Sequence, residues 1–290
     1  MISSKSISLD PFTPLLFEAR THLLAAFEQV GEKFGHSKSE ARQLFGLLPR
    51  ALRAAPVAWS KIGKNWCYAF GKPYTGFTSN TVVVGTPQLP PVERLYQTVI
   101  AVCRYFSARD QIKIFEKLGQ EEKHTHYLEE IAPIMRLQGP ATVRYEVAGD
   151  GGRTIDFQID ADGQRPVLLE VKYRCKDIIH FLTEFTRNES LGKAEEDISP
   201  PEPAWLFPSV VEKFKPVPFE IQAQGVWIYT GVAQVELKLR NYFEGLDPTR
   251  LHFAVLSGGD DRAYILARSP EIEAFVVSFF RLVHHRASVR

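Results

Sequence analysis

The chain has 290 residues, of which 44% are hydrophobic and 24% charged, and its formal net charge is +1. These values indicate a globular protein with a sizeable core, and they exclude a globally basic chain that binds nucleic acid through its net charge alone. The three cysteines have no paired spacing, so neither a disulfide framework nor a zinc site is expected. Without a secretion signal or an apolar run of membrane-spanning length, we expect a cytoplasmic protein with no membrane partner.

Residues 1–118 predict a mainly helical N-terminal region. Apolar residues recur at helical spacing across residues 13–55, and Ser-Lys-Ser-Glu at 37–40 is typical of a capping box. Residues 56–90 are rich in Gly, Pro, Thr and aromatics, which favours irregular structure with one short strand, TVVVG. A proline cluster then begins a further helix, which is predicted to end at Leu118-Gly119.

Residues 119–290 predict a second domain of mixed α/β type. One helix is expected over 121–137, followed by three strands in TVRYEVA, RTIDFQID and VLLEVKYR, with turn residues between them. This pattern is typical of an antiparallel meander. The expected order then continues with a helix (DIIHFLTEFTR), an insertion at about 188–218 and a strand (GVWIYTG). It ends with a helix (VAQVELKLRNYFEGL), two strands (LHFAVLSGG, RAYILAR) and a final helix (EIEAFVVSFFRLVHHR).

The second and third strands carry acidic residues inside apolar segments. Because alternate residues share a face, Asp156 lies opposite the apolar face of its strand, and Glu170 and Lys172 lie opposite that of the next. A turn centred on Gly163 pairs Asp156 with Glu170, whereas a tighter turn would place Asp156 on the apolar face. Two carboxylates that face each other repel, so the pairing predicts a compensating cation.

Mg²⁺ suits such a pair, because it binds one or two carboxylates, keeps several waters and contacts substrate phosphates. Lys172 projects beside Glu170, where it could orient a water or stabilise charge on an attacked phosphate. The alternative interpretation is a surface charge network of Asp156, Glu170 and Lys172 on a solvated sheet face.

The order of elements and the Ile155-Asp156 and Glu170-Val171-Lys172 motifs resemble the PD-(D/E)xK nuclease superfamily, over about residues 120–257. The resemblance implies a restriction-endonuclease-like α-β-β-β-α-β core in which Asp156 and Glu170 bind Mg²⁺, with Mn²⁺ as a substitute. It also implies that the Val171 backbone carbonyl adds a ligand and that Lys172 assists the attacking water. Ile155 stands where the superfamily's proline is usual.

The superfamily often adds a glutamate from the first helix of the core. Glu121 is the candidate here, and Glu122 and Glu130 are alternatives.

Further polar residues near the motif are candidates for contact with nucleic acid. Glu146 lies across from Asp156 if the first turn is centred on Gly151, and it is either a fourth acid or a partner of Arg144. Lys176 and His180 follow the motif and could contact phosphate or a base, although ordinary helix polarity explains them as well.

The leading hypothesis is therefore a metal-dependent nuclease, with DNA preferred over RNA on the superfamily's habits and with substrate or a protein partner selected by the N-terminal helical region. A second hypothesis is a non-catalytic nuclease-fold binding module, for example a toxin-neutralising or complex-forming protein. A third is an RNA-specific toxin or effector nuclease.

Overall fold

The computed structural model describes residues 15–50, 53, 56–62, 65–70, 82–84, 91–120, 124–173, 206–229, 240, 242–257 and 262–284. The chain divides into two compact units, which comprise residues 1–96 with 115–125, and residues 97–114 with 126–290. None of the helices in these ranges is both long and apolar enough to cross a membrane.

The first unit contains an antiparallel sheet and two short helices. Strands β1 (Leu15–His22), β2 (Pro56–Ile62), β3 (Asn65–Phe70) and β4 (Val82–Val84) pair in that order. Helices α1 (Leu23–Lys33) and α2 (Lys38–Gly46) follow β1. The predicted capping box is confirmed, because Ser37 and Glu40 bond reciprocally at the start of α2.

The prediction of a mainly helical N-terminal region is wrong in two places. Residues 15–22 form a strand where a helix was expected, and residues 56–70 contain two paired strands where irregular structure was expected. The short strand predicted at TVVVG is confirmed as β4. Pairing of β1 with β2 outweighs the helical periodicity of the LLFEARTH segment, because strand preference depends on the partner more than on the segment itself.

Two helices occupy residues 91–118, where a single one was predicted. Helix α3 (Pro91–Tyr105) stops before Phe106, which bridges to Val143, and α4 (Ala108–Leu118) begins after Ser107. The Ser107 hydroxyl accepts the N–H of Asp110 at 3.2 Å, which provides the new helix start. The predicted end at Leu118-Gly119 is confirmed.

Helix α5 (His124–Ile131) is shorter than the helix predicted over 121–137. Pro133 has no N–H to continue it, and the chain proceeds through a 3₁₀ turn at Ile134–Arg136.

The second unit is built on a mixed sheet of seven described strands. They are β5 (Ala141–Ala148), β6 (Thr154–Ala161), β7 (Val167–Tyr173), β8 (Ala223–Tyr229), β9 (Phe253–Ser257), β10 (Arg262–Ala267) and β11 (Val283–His284), in the spatial order β11-β10-β9-β8-β7-β6-β5. The predicted antiparallel meander β5-β6-β7 is confirmed, and β8 lies parallel to both β7 and β9. The predicted mixed α/β class and the strands predicted for β8, β9 and β10 are also confirmed.

Helices cover both faces of this sheet. Helix α6 (Leu206–Val211) and Phe214 pack into one core cluster with Val226 of β8. On the other face Trp227, the next residue, packs its ring 5.4 Å from that of Phe280 in α7 (Pro270–Phe280). Both faces of β7 and β8 are therefore buried, as expected where parallel strands lie between helices.

Two predictions for the second half of the chain need correction. The insertion predicted at about 188–218 contributes to the core, because Phe207 and Phe214 are fully buried. The final helix ends at Phe280, since Arg281 has φ 47° and the chain then forms β11. The helix predicted at DIIHFLTEFTR lies outside the described residues. The one predicted over 232–246 is described at 240 and 242–246, and of these residues 240 and 242–244 are helical.

A buried histidine fastens the loop before β8. The Nδ1 atom of His252 accepts the Gln224 N–H at 3.0 Å, and its Nε2 lies 3.1 Å from the Val217 carbonyl oxygen. This arrangement requires the neutral ring with its hydrogen on Nε2. Burial lowers the pKa of His252 below its ordinary value, which favours that state.

Candidate active site

The site lies where β6 and β7 separate. These strands pair at Phe157 with Leu169 and at the two following positions, so the register predicted for a turn centred on Gly163 is confirmed. The described pairing ends at Phe157, and the next two residues in register are Asp156 and Glu170. The two acids therefore stand at the opening between the strands.

The packing of β6 changes at Asp156. Ile155 belongs to the core cluster under α6, whereas Phe157 packs against the Tyr145 ring, with 5.5 Å between centroids. On the neighbouring strand β5, Glu146 has φ 54°, a left-handed backbone conformation that non-glycine residues seldom adopt. The regular alternation of faces is thus interrupted beside Asp156.

The carboxylate of Asp156 is directed at the backbone of β7. Its Oδ2 accepts the N–H of Val171 at 2.7 Å. The N–H and C=O of one strand residue point to the same side of the strand, so the Val171 carbonyl also faces β6. The carbonyl that the resemblance implies as a ligand therefore lies on the same edge of β7 as Asp156.

Glu170 is fully buried, with 0% exposure. Its Oε1 accepts hydrogen bonds from the ammonium groups of Lys172 and Lys213. Its Oε2 is buried and has no hydrogen-bond partner among the described residues. The alternative of a solvated surface network is therefore wrong for Glu170, and the buried Oε2 has capacity for a further positive partner.

Asp156 holds its proton more tightly than an ordinary aspartate. Burial, together with the nearby carboxylates of Glu170 and Glu130, raises the pKa of Asp156 from 3.8 to about 7. The N–H of Val171 and the Lys172 ammonium oppose this effect. As a result, Asp156 releases its proton near neutral pH instead of near pH 4.

Glu130 of α5 is the third carboxylate near Asp156. It is 6% exposed, its Oε1 accepts the Tyr145 hydroxyl at 2.6 Å, and His126 Nε2 lies 3.6 Å from its Oε2. Burial and the Glu130 charge raise the pKa of Tyr145, so its hydroxyl remains a donor. Glu130 was one of the alternatives for the helix glutamate. Glu121, the predicted candidate, lies outside the described residues.

Of the remaining predicted contacts, only Glu146 lies in the described part of the chain. Glu146 is exposed and its carboxylate lies 3.6 Å from Lys113, while Arg144 lies 3.2 Å from Asp160. Lys176 and His180 lie outside the described residues.

Lys213 is a residue of the candidate site that the sequence analysis did not identify. It lies 43 residues from Glu170 and follows α6, within the segment interpreted as an insertion. No local pattern marks it, because its position depends on how α6 packs on the sheet.

The ligand atoms available at this site limit which metal ion could bind there. Within the described ranges, no group of three or more His, Cys, Asp or Glu side chains gathers as a metal-binding cluster. What the site offers is the carboxylates of Asp156 and Glu170 and one backbone carbonyl. These hard oxygen donors suit Mg²⁺ completed by water, and the set lacks the thiolate and imidazole ligands typical of zinc.

Comparison of the chain with protein-family models, with curated proteins and with solved structures gave no match.

Proposed function

We propose that this protein is a metal-dependent phosphodiesterase with a restriction-endonuclease-like core, and specifically a nuclease that hydrolyses nucleic acid. The observation that carries the proposal is the buried Oε2 of Glu170, which has no described partner at the opening beside Asp156. A fully buried carboxylate oxygen without a partner is costly, and a cation there would remove the cost.

The arrangement of elements supports the same proposal. Helix α5 precedes the meander β5-β6-β7, and β8 lies parallel to β7, in the order that the nuclease resemblance implies. The two acids stand on adjacent strands at one opening, and Lys172 follows Glu170 by two residues on β7.

Asp156, Glu170 and the Val171 carbonyl are the residues that would hold Mg²⁺, with Mn²⁺ as a substitute. When bound, the ion supplies a Lewis acid for the phosphate oxygens and lowers the pKa of water. One or two protein carboxylates are the usual number for this ion at phosphate-transferring sites.

The chain's own residues would act around the phosphate. Lys172 is 27% exposed while Glu170 is buried, so its ammonium can contact both the carboxylate and a group arriving from solvent. There it would orient the attacking water and stabilise negative charge as it develops. Tyr145 donates to Glu130 and thereby fixes that carboxylate near Asp156.

The test is cleavage of supercoiled plasmid, single-stranded DNA and total RNA by the purified protein with Mg²⁺, Mn²⁺ or EDTA. Asp156→Asn, Glu170→Gln and Lys172→Met should each lower the rate by about 100-fold or more, the usual effect of removing one group that stabilises the transition state. Asp160→Asn on the same strand and the exposed Lys215→Met are matched controls that should retain activity. Variants that cleave as fast as wild type would refute the assignment, and the substrate cleaved distinguishes DNA from RNA.

One observation favours a second candidate, the non-catalytic binding module. Lys172 and Lys213 already compensate Glu170 within the protein. A module of this kind would cleave none of the three substrates, would gain no stability from Mg²⁺, and would keep partner binding in Glu170→Gln.

A further inference from the structure

Three consecutive carbonyl groups hold the segment that carries Lys213 against the loops beside the sheet. The Glu212 carbonyl accepts Arg153 at 2.8 Å, and the Lys213 carbonyl accepts the Asp150 N–H at 2.7 Å. The Phe214 carbonyl accepts Arg250 at 2.7 Å. The backbone of Lys213 is therefore held against the turn between β5 and β6.

This close approach depends on a glycine. A Cβ atom on Gly149 would lie 2.5 Å from the Lys213 carbonyl oxygen, which is too close for any other residue without movement of the segment. The position of Lys213 at Glu170 is thus built into the turn and the core rather than being a chance contact of a surface side chain.

This inference rests on the proposed metal site. We propose that the Lys213 ammonium pairs with the Glu170 carboxylate in the metal-free protein and moves away from it when a divalent ion binds. Lys213 is a positioning residue in this account, because it acts through Glu170. It pairs with the buried Glu170 carboxylate within the fold until the ion takes over that role.

The charges explain why Lys213 should move. Lys172 and Lys213 both contact Oε1, so two ammonium groups compensate one buried carboxylate. A divalent ion beside Glu170 would repel an ammonium only a few ångströms away. Because the Lys213 side chain is 22% exposed, it has access to water while its backbone remains fixed.

The test is Mn²⁺ binding measured by calorimetry, without nucleic acid, on the full chain and its variants. Lys213→Met should bind Mn²⁺ about tenfold or more tightly than wild type, because a competing unit charge has been removed near a divalent ion. It should also unfold at a lower temperature when no metal is present. Lys215→Met, on the same segment but exposed, should bind as wild type does.

The outcomes separate this inference from the proposed function. Tighter binding by Lys213→Met alone supports the inference. Unchanged or weaker binding, with wild-type binding that Glu170→Gln abolishes, would overturn the role of Lys213 and leave the metal site standing. Absence of Mn²⁺ binding by wild type at millimolar concentrations would overturn both.

A measurement on the wild-type chain covers the case in which Lys213→Met does not fold. Acylation of lysine amines, read by mass spectrometry, should modify Lys213 several-fold faster when Mn²⁺ is added, with Lys215 unchanged. Equal modification of Lys213 with and without Mn²⁺, in protein that binds the ion, would contradict displacement.

Discussion

Replacement of Asp156 by asparagine should stabilise the metal-free protein at alkaline pH. Asparagine has nearly the same shape and keeps an oxygen that can accept the Val171 N–H, but it carries no charge. The substitution therefore removes the repulsion from Glu170 and Glu130 and the cost of burying a carboxylate, with little change in packing.

The size of the effect follows from the pKa of Asp156, which burial and the carboxylates of Glu170 and Glu130 raise from 3.8 to about 7. One pKa unit corresponds to about 1.4 kcal/mol, so the ionised carboxylate costs the folded state up to about 4 kcal/mol at pH 8. The unfolded chain loses its proton from about pH 4 upward, while the folded chain retains it until about pH 7. Wild type should therefore lose stability relative to Asp156→Asn as the pH rises through this window.

Urea unfolding in EDTA, at pH 4 and pH 8, measures the difference. We expect Asp156→Asn to match wild type at pH 4 and to exceed it by a few kcal/mol at pH 8. Asp160→Asn is the control, because Asp160 is 37% exposed and pairs with Arg144, so its change should stay within about 1 kcal/mol. Lower stability of Asp156→Asn at pH 8 would refute the idea that repulsion and burial dominate at Asp156.

Three further predictions concern the surroundings of the site. Gly149→Ala should destabilise the protein by about 1–3 kcal/mol, because its Cβ would meet the Lys213 carbonyl oxygen at 2.5 Å; an unchanged urea midpoint would contradict this close approach. The lowered pKa of His252 predicts that its contribution to stability is lost as the pH falls below 6.5, and an NMR titration of its ring in the folded protein should give a midpoint below that value. Tyr145→Phe should cost about 1–3 kcal/mol in urea unfolding, since it removes a donor from buried Glu130, while Tyr264→Phe should change stability by less.

The meander and its register could be predicted because they depend on local information. Alternation of apolar residues, turn chemistry at Gly163 and the requirement that Asp156 avoid the apolar core leave one register, and β6 and β7 adopt it. The N-terminal sheet could not be predicted in the same way. Strand β1 pairs with β2 across more than 30 residues, and its helical periodicity carries no information about that partner.

The candidate site was predictable where its residues share one hairpin. Asp156, Glu170 and Lys172 are identified by spacing on adjacent strands, and the structure brings Lys172 to Glu170. Lys213 and Glu130 reach the same place through the packing of α6 and α5, which no short sequence pattern encodes. The burial of the charged face of β7 was missed for the same reason, because α6 covers it from a distant part of the chain.

The most direct test of the central claim is cleavage of nucleic acid in water labelled with ¹⁸O. Attack of water on phosphorus predicts that wild type with Mg²⁺ incorporates one ¹⁸O atom into the terminal phosphate formed at each cleaved bond, and that Glu170→Gln, although folded, does not. Folded wild type that forms no labelled terminal phosphate on plasmid, single-stranded DNA or RNA, with either Mg²⁺ or Mn²⁺, would contradict the account.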